Sequence, residues 1–141
     1  MRKRVITYCP GSCGELIQGL IKGKELLISY PIELGTTLYI EFSKTEIKSK
    51  LMPKIEEAVR RTLDLLGIPE RYKERIFIRR ESSLAFGKGM SSSTADIAST
   101  ILGIGALFDA ELDNNTVASI AVSIEPTDSI VFEDLTLFDS L

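Results

Sequence analysis

The segment from Ser92 to Phe108 reads SSTADIASTILGIGALF and has almost no polar side to turn towards water. A helix that is apolar all round has to be enclosed by other elements, so this stretch predicts a central buried helix around which the rest of the chain is arranged. Ala98, Gly103 and Gly105 are small enough to let its neighbours approach closely.

Directly ahead of that helix stands Gly87-Lys88-Gly89-Met90-Ser91-Ser92-Ser93-Thr94-Ala95-Asp96. Glycines that bring backbone N–H groups near an anion, followed by a helix start with its unpaired donors and partial positive charge, make a phosphate cradle. Gly87, Lys88, Gly89, Met90, Ser91, Ser92 and Ser93 are its candidate contacts, and the serine hydroxyls can bind phosphate oxygen or a phosphate-bound metal. Other glycine-rich turns fail on spacing. A Walker loop needs Ser or Thr after Gly-Lys, but Gly89 follows Lys88, and a dinucleotide fingerprint needs glycine where Ser92 stands. A nucleophile elbow would need glycine at Ser93 and a histidine elsewhere, and the chain has no histidine. The plainer alternative is that Ser93 and Asp96 form a capping box, Ser-x-x-Asp, before an apolar helix.

The pattern along the chain alternates strands and helices without repeats. Strands are expected at Val5–Tyr8, Glu15–Ile21, Glu25–Tyr30 and Thr36–Phe42, the middle pair joined at Lys22-Gly23-Lys24. From Pro53 to Leu66 the apolar residues Ile55, Val59, Leu63 and Leu66 follow the helical interval, with Glu56–Arg60 and Glu57–Arg61 as i,i+4 pairs and Gly67 and Pro69 as the stop. Arg75–Arg80 alternates as a strand. After the apolar helix, Asp113 or Asn114 caps another helix ending near Ser123, and Thr136–Asp139 begins a further strand.

At 141 residues, 44% hydrophobic and 26% charged, the chain fits one domain with one core. A net charge of −3 provides no basic field for nucleic acid, and no uninterrupted apolar run is long enough for a membrane span or a signal core. A cytoplasmic setting is expected. Cys9 and Cys13, the only cysteines, match neither a Cys-x-x-Cys pair nor half of a zinc site, and read as reduced thiols.

The glycine/serine segment resembles the Gly-Leu-Gly-Ser-Ser-Ala motif of the GHMP kinases, the superfamily of galactokinase, homoserine kinase, mevalonate kinase and phosphomevalonate kinase. Gly89 to Thr94 match it, with Met90 for Leu, Ser91 for the second Gly and Thr94 for Ala. Cys9-Pro10-Gly11-Ser12-Cys13-Gly14-Glu15-Leu16-Ile17-Gln18-Gly19 and Ile124-Glu125-Pro126-Thr127-Asp128-Ser129 are similar to the first and acidic motifs of the L-threonine kinase branch. The resemblance implies an α+β fold like the second domain of ribosomal protein S5, forming the amino-terminal, ATP-binding domain over residues 1–141. The superfamily's carboxy-terminal domain has no counterpart before Leu141, so the chain is expected to be a truncated form. Apolar surface left uncovered would then favour a homodimer.

The implied activity is ATP-dependent phosphorylation of the L-threonine hydroxyl, as in cobalamin side-chain synthesis, with Mg²⁺ as the metal. Homoserine is the nearest competing acceptor, and a non-catalytic domain that binds an anion or a partner is the alternative from another class. Phosphoryl transfer needs N–H donors, a metal on oxygen ligands and a group that orients or deprotonates the acceptor. Without histidine, carboxylates and lysines remain, and Glu125 and Asp128 stand three apart in a tight turn, which could also be no more than a helix-terminal turn. By resemblance, Ser92 and Glu125 hold Mg²⁺ and Asp128 occupies the place of the acceptor-orienting or base aspartate. Ser12 and Glu15 are the candidate acceptor-binding residues in the first motif. In a regular strand Glu15 and Gln18 face opposite sides, so both reach one pocket only across a twist or bulge.

Overall fold

The computed structural model describes residues 1, 3–47, 49–126 and 138–139. Strand β1 (Arg4–Ile21) and strand β2 (Lys24–Phe42) form one long antiparallel hairpin rather than four short strands. Lys22 and Gly23 make its two-residue turn with φ of 51° and 80°, the left-handed pair that matches the twist of flanking strands. The expected gaps at Cys9–Gly14 and Pro31–Gly35 are bridged because β1 absorbs its irregular residues in register shifts between Pro10 and Ser12, Ser12 and Glu15, and Glu15 and Ile17. Strand β3 (Ile76–Ser82) pairs antiparallel with the carboxy-terminal half of β2, from Phe42 opposite Ile76 to Thr36 opposite Ser82. Strand β4 (Phe138–Asp139) pairs with the other half of β2 at Leu26 and Leu27, while Thr136 lies outside the described residues.

One helix lies directly on a sheet face and two more pack against it. Helix α1 (Pro53–Leu65) buries Ile55, Ala58, Val59, Thr62 and Leu63 and ends as the spacing predicts. Gly67 takes φ 66°, its N–H bonds Asp64 O and that of Ile68 bonds Leu63 O, a Schellman termination. Of the two expected side-chain pairs only Glu57–Arg61 forms, at 2.7 Å. Arg60 also donates to Glu57, whose carboxyl is held down to about 2 by these two guanidinium donors. Glu56 instead meets Lys73 of a 3₁₀ turn, Glu70–Arg75, that the sequence pattern does not announce. Helix α3 (Asn114–Ile124) is capped as expected, Thr116 N–H donating to the Asp113 carboxylate at 2.7 Å.

Helix α2 (Ser92–Leu107) is the buried centre. Its amino-terminal half packs with α3, Cys9 and Leu84 through Ala95, Ile97, Ala98 and Ile101. Its carboxy-terminal half, with Ile104 and Leu107, closes on the sheet residues Val5, Leu38, Ile40 and Ile76 and on α1 residues Val59 and Leu63. Gly103 is where helix and sheet approach most closely: a Cβ there would run into Ile40 Cδ1 and stand 3.2 Å from Thr7 Cγ2. The opposite sheet face leaves Ile6, Tyr8 and Phe77 exposed. Both cysteines are free thiols as expected; burial, with the nearby Asp96 charge, pushes the Cys9 thiol up to about 12. Ile40 has no solvent exposure and fills the space opposite Gly103. Ile40→Ala in the full-length protein is therefore expected to lower stability by about 2–5 kcal/mol, read as a shift of the denaturant midpoint with an unchanged slope.

Candidate active site

β3 leads through Ser83–Phe86 into the glycine loop, and the loop turns left-handed three times, at Gly87 (φ 64°), Gly89 (69°) and Ser91 (55°), before α2 begins. Two of these positions carry glycine, for which a positive φ is unstrained; at Ser91 a side chain is accommodated in the same conformation. Ser91 is the amino-terminal cap residue but makes no side-chain cap bond. Its hydroxyl instead contacts that of Ser12, and the backbone N–H of Ser12 donates to Met90 O at 3.1 Å. Gly11 lies against the same loop: a Cβ there would stand 2.5 Å from Met90 O and collide with Leu84. β1 thus forms the back wall of the loop, and its glycine is what lets the two backbones meet.

The expected capping box does not form. Ser93 accepts a hydrogen bond from Lys54 Nζ at 2.9 Å, and Asp96 accepts one from Arg80 Nε at 2.8 Å. Asp96 is almost fully buried, and burial raises its pKa, partly opposed by Arg80 and by a hydrogen bond from Thr36. The Arg80 guanidinium also lies 5.1 Å from the Phe86 ring centre. These contacts tie β3, the residue before the loop and the second turn of α2 into one unit.

Two cavities meet at the helix start. One, of about 270 Å³, is lined by Gly87, by Gly89 through Thr94, and by Glu125 and Pro126. Beside Met90 and Pro126 its wall offers loop backbone, hydroxyls and a single carboxylate, and the first N–H groups of a helix have no acceptor within the helix. The other, of about 430 Å³, has mostly apolar walls from Met52, Pro53, Ile55 and Phe86, and shares Gly87, Ser92 and Ser93 with the first. Glu125 reaches the cradle from the carboxy-terminal end of α3, where its carboxylate is paired with the Lys54 ammonium.

The structure therefore brings together Gly87, Gly89, Met90, Ser91, Ser92, Ser93 and Glu125. Lys88 is exposed and lines neither cavity. Ser12 is fully buried behind the loop with its hydroxyl engaged by Ser91. Glu15 sits opposite Ser29 between two register shifts of β1. Asp128 lies outside the described residues. Lys54 and the apolar cavity escape sequence reasoning: Pro53 marks a helix start, but nothing local connects Lys54 to a carboxylate 71 positions away.

Comparison with known proteins gives a consistent family. The model of the GHMP kinases N terminal domain matches residues 53–132. The chain is 42% identical over 134 residues to an L-threonine kinase of Salmonella typhimurium, covering 95% of the chain and 44% of the relative. It is also 42% identical over 134 residues to an L-threonine kinase of Citrobacter freundii, covering 46% of that protein. The chain thus spans less than half the length of these curated relatives. Among solved structures, the mevalonate kinase of Methanococcus jannaschii superposes with a TM-score of 0.69 at 22% identity, over 91% of this chain and 49% of that one. At that identity the likeness establishes the fold, which is the α+β arrangement expected from the motifs.

The close seat of Gly11 on Met90 is open to test. In the full-length protein, Gly11→Ala is expected to destabilise by about 1–3 kcal/mol through overpacking and to weaken tripolyphosphate binding at the loop. Denaturant midpoints and calorimetric titration read the two effects; wild-type values for both would mean that β1 does not hold the loop.

Proposed function

The chain belongs to the GHMP kinases, and from that premise we propose that the protein is an ATP-dependent kinase that phosphorylates the hydroxyl of L-threonine, in the cytoplasm, for the cobalamin side chain. The observation that carries the nucleotide half of this reading is the junction of the two cavities at Ser92 and Ser93. An apolar chamber beside a helix start suits a planar base next to a chain of phosphates, which the loop N–H groups and the helix dipole favour. The identity of the acceptor rests on the 42% identity to two L-threonine kinases. Among the described residues no helix is long and apolar enough to cross a membrane.

The donor set fits Mg²⁺: Ser92 and Glu125, which line the same cavity, offer a hydroxyl and a carboxylate, the hard oxygen ligands this ion prefers. When bound there, the ion would neutralise charge on the phosphates. The backbone from Gly87 to Ser93 would hold the phosphates, and Asp128 would orient the acceptor hydroxyl or take its proton. In the transfer, the threonine oxygen bonds the terminal phosphorus as the bond to the bridging oxygen breaks and ADP leaves. Glu15 would belong to the acceptor side, whereas Ser12, buried with its hydroxyl on Ser91, would act by fixing the cradle rather than by touching the acceptor.

ADP release by the full-length protein with L-threonine, homoserine and serine as acceptors tests the reading directly. L-Threonine is expected to give the highest kcat/KM, and preference for homoserine would overturn the assignment of acceptor. Ser92→Ala should lower turnover by about two orders of magnitude, the scale for losing one positioned stabilising group. Unchanged Mg²⁺-dependent turnover would remove Ser92 from the site.

The two carboxylates of the acidic motif should fail differently. Glu125→Gln is expected to raise the Mg²⁺ requirement, because the amide keeps an oxygen and loses the charge that holds the ion. Asp128→Asn should leave nucleotide and metal binding nearly intact while slowing the chemical step by about 10²–10⁴-fold if Asp128 is a general base. Single-turnover rates and Mg²⁺ titrations separate the two; identical behaviour would mean that the roles are wrongly divided.

A further inference from the structure

We propose that Lys54, at the amino-terminal end of α1, is a phosphate-binding residue of the nucleotide site, a role that rests on the ATP-dependent reading above. Its ammonium donates to Ser93 Oγ at 2.9 Å and pairs with the Glu125 carboxylate, and both of these residues line the cradle. Its own residue lines the neighbouring apolar cavity, so the stem lies beside the chamber suited to a base while the charge reaches the phosphate side. The side chain spans the boundary that a nucleotide would cross.

The pairing has little to do with holding the fold together. The Lys54 side chain is 53% exposed, and ion pairs of that kind contribute little to stability. Its position has a clearer electrostatic meaning. Glu125 faces a cavity built for anions, and a divalent cation placed on that carboxylate competes with the ammonium for the same oxygens. Released from Glu125, the ammonium needs an anionic partner within reach of its flexible stem, and a phosphate in the cradle is that partner. Lys88, the lysine within the loop itself, lines neither cavity.

The test compares wild type, Lys54→Met and Lys54→Arg in the full-length protein, titrating ADP with saturating Mg²⁺ by calorimetry and adenosine by ligand-observed NMR. Adenosine carries the base without phosphates, so its affinity is expected to be the same in all three. ADP should bind about 10–100-fold more weakly to Lys54→Met, the range for losing a charge-assisted hydrogen bond, and within a few-fold of wild type to Lys54→Arg. Wild-type ADP affinity in Lys54→Met would overturn the proposal, as would equal losses for ADP and adenosine, which would assign Lys54 to shaping the cavity. If wild type itself binds neither compound, the kinase reading fails before the question of Lys54 arises.

Discussion

The seating of α2 against the hairpin determines where everything else can be. A helix buried on all sides has no freedom to slide, because Gly103 admits Ile40 and Thr7 at one level only, and Ile101, Ile104 and Leu107 are fully enclosed above and below it. The start of α2 opens onto the cradle, whose wall Ser92, Ser93 and Thr94 help to form. The partial charge and spare N–H groups of that end are therefore fixed by the core rather than by loop conformation. Asp96 extends this fixation by one turn: a buried carboxylate held by Arg80 joins the helix to β3, the strand from which the glycine loop departs. Burial raises the pKa of Asp96 and Arg80 opposes it, so removing the guanidinium alone would leave an uncompensated buried charge.

A second constraint acts on the loop. A serine with φ near 55° costs on the order of 1 kcal/mol or more relative to glycine, and Ser91 stands where the related motif has its second glycine. The contact with Ser12 and the bond from Ser12 N–H to Met90 O supply local support for that conformation. This explains why the first motif combines Gly11 with Ser12: glycine brings β1 against the loop, and serine braces the strained residue. A segment read from sequence as lining an acceptor pocket is, in the structure, a clamp on the glycine loop.

The sequence made legible what depends on near neighbours. The apolar stretch of α2, the cap at Asp113, the stop at Gly67 and the glycine loop all follow from residues within a turn of one another. The misreadings share a different cause. β1 and β2 look interrupted at Cys9–Gly14 and Pro31–Gly35, yet pairing with a partner strand carries them through by shifts of register. Ser93 and Asp96 have the spacing of a capping box, but Lys54 and Arg80, distant in sequence, claim both side chains. Glu56 prefers Lys73 to Arg60 for the same reason. Polar side chains are flexible enough for tertiary partners to override a local pattern, whereas a buried apolar helix is not.

The charges around the cradle also bear on the proposed nucleotide site, where a cation would have to sit beside the phosphates. Two helix starts, those of α1 at Pro53–Lys54 and of α2 at Ser92–Ser93, border the apolar cavity, and both dipoles favour an anion near it. Glu125 is the opposing element, a carboxylate in the wall of the cavity that suits phosphates. Two like unit charges about 4 Å apart repel by about 4 kcal/mol at an effective dielectric of about 20, more than a helix dipole returns. A phosphate and Glu125 can share the cradle only with positive charge between them. Lys54 supplies one unit beside Glu125 and Ser93, and under the proposed function a divalent ion on Ser92 and Glu125 would supply two, so the carboxylate would make nucleotide binding conditional on a cation that the loop alone would not require.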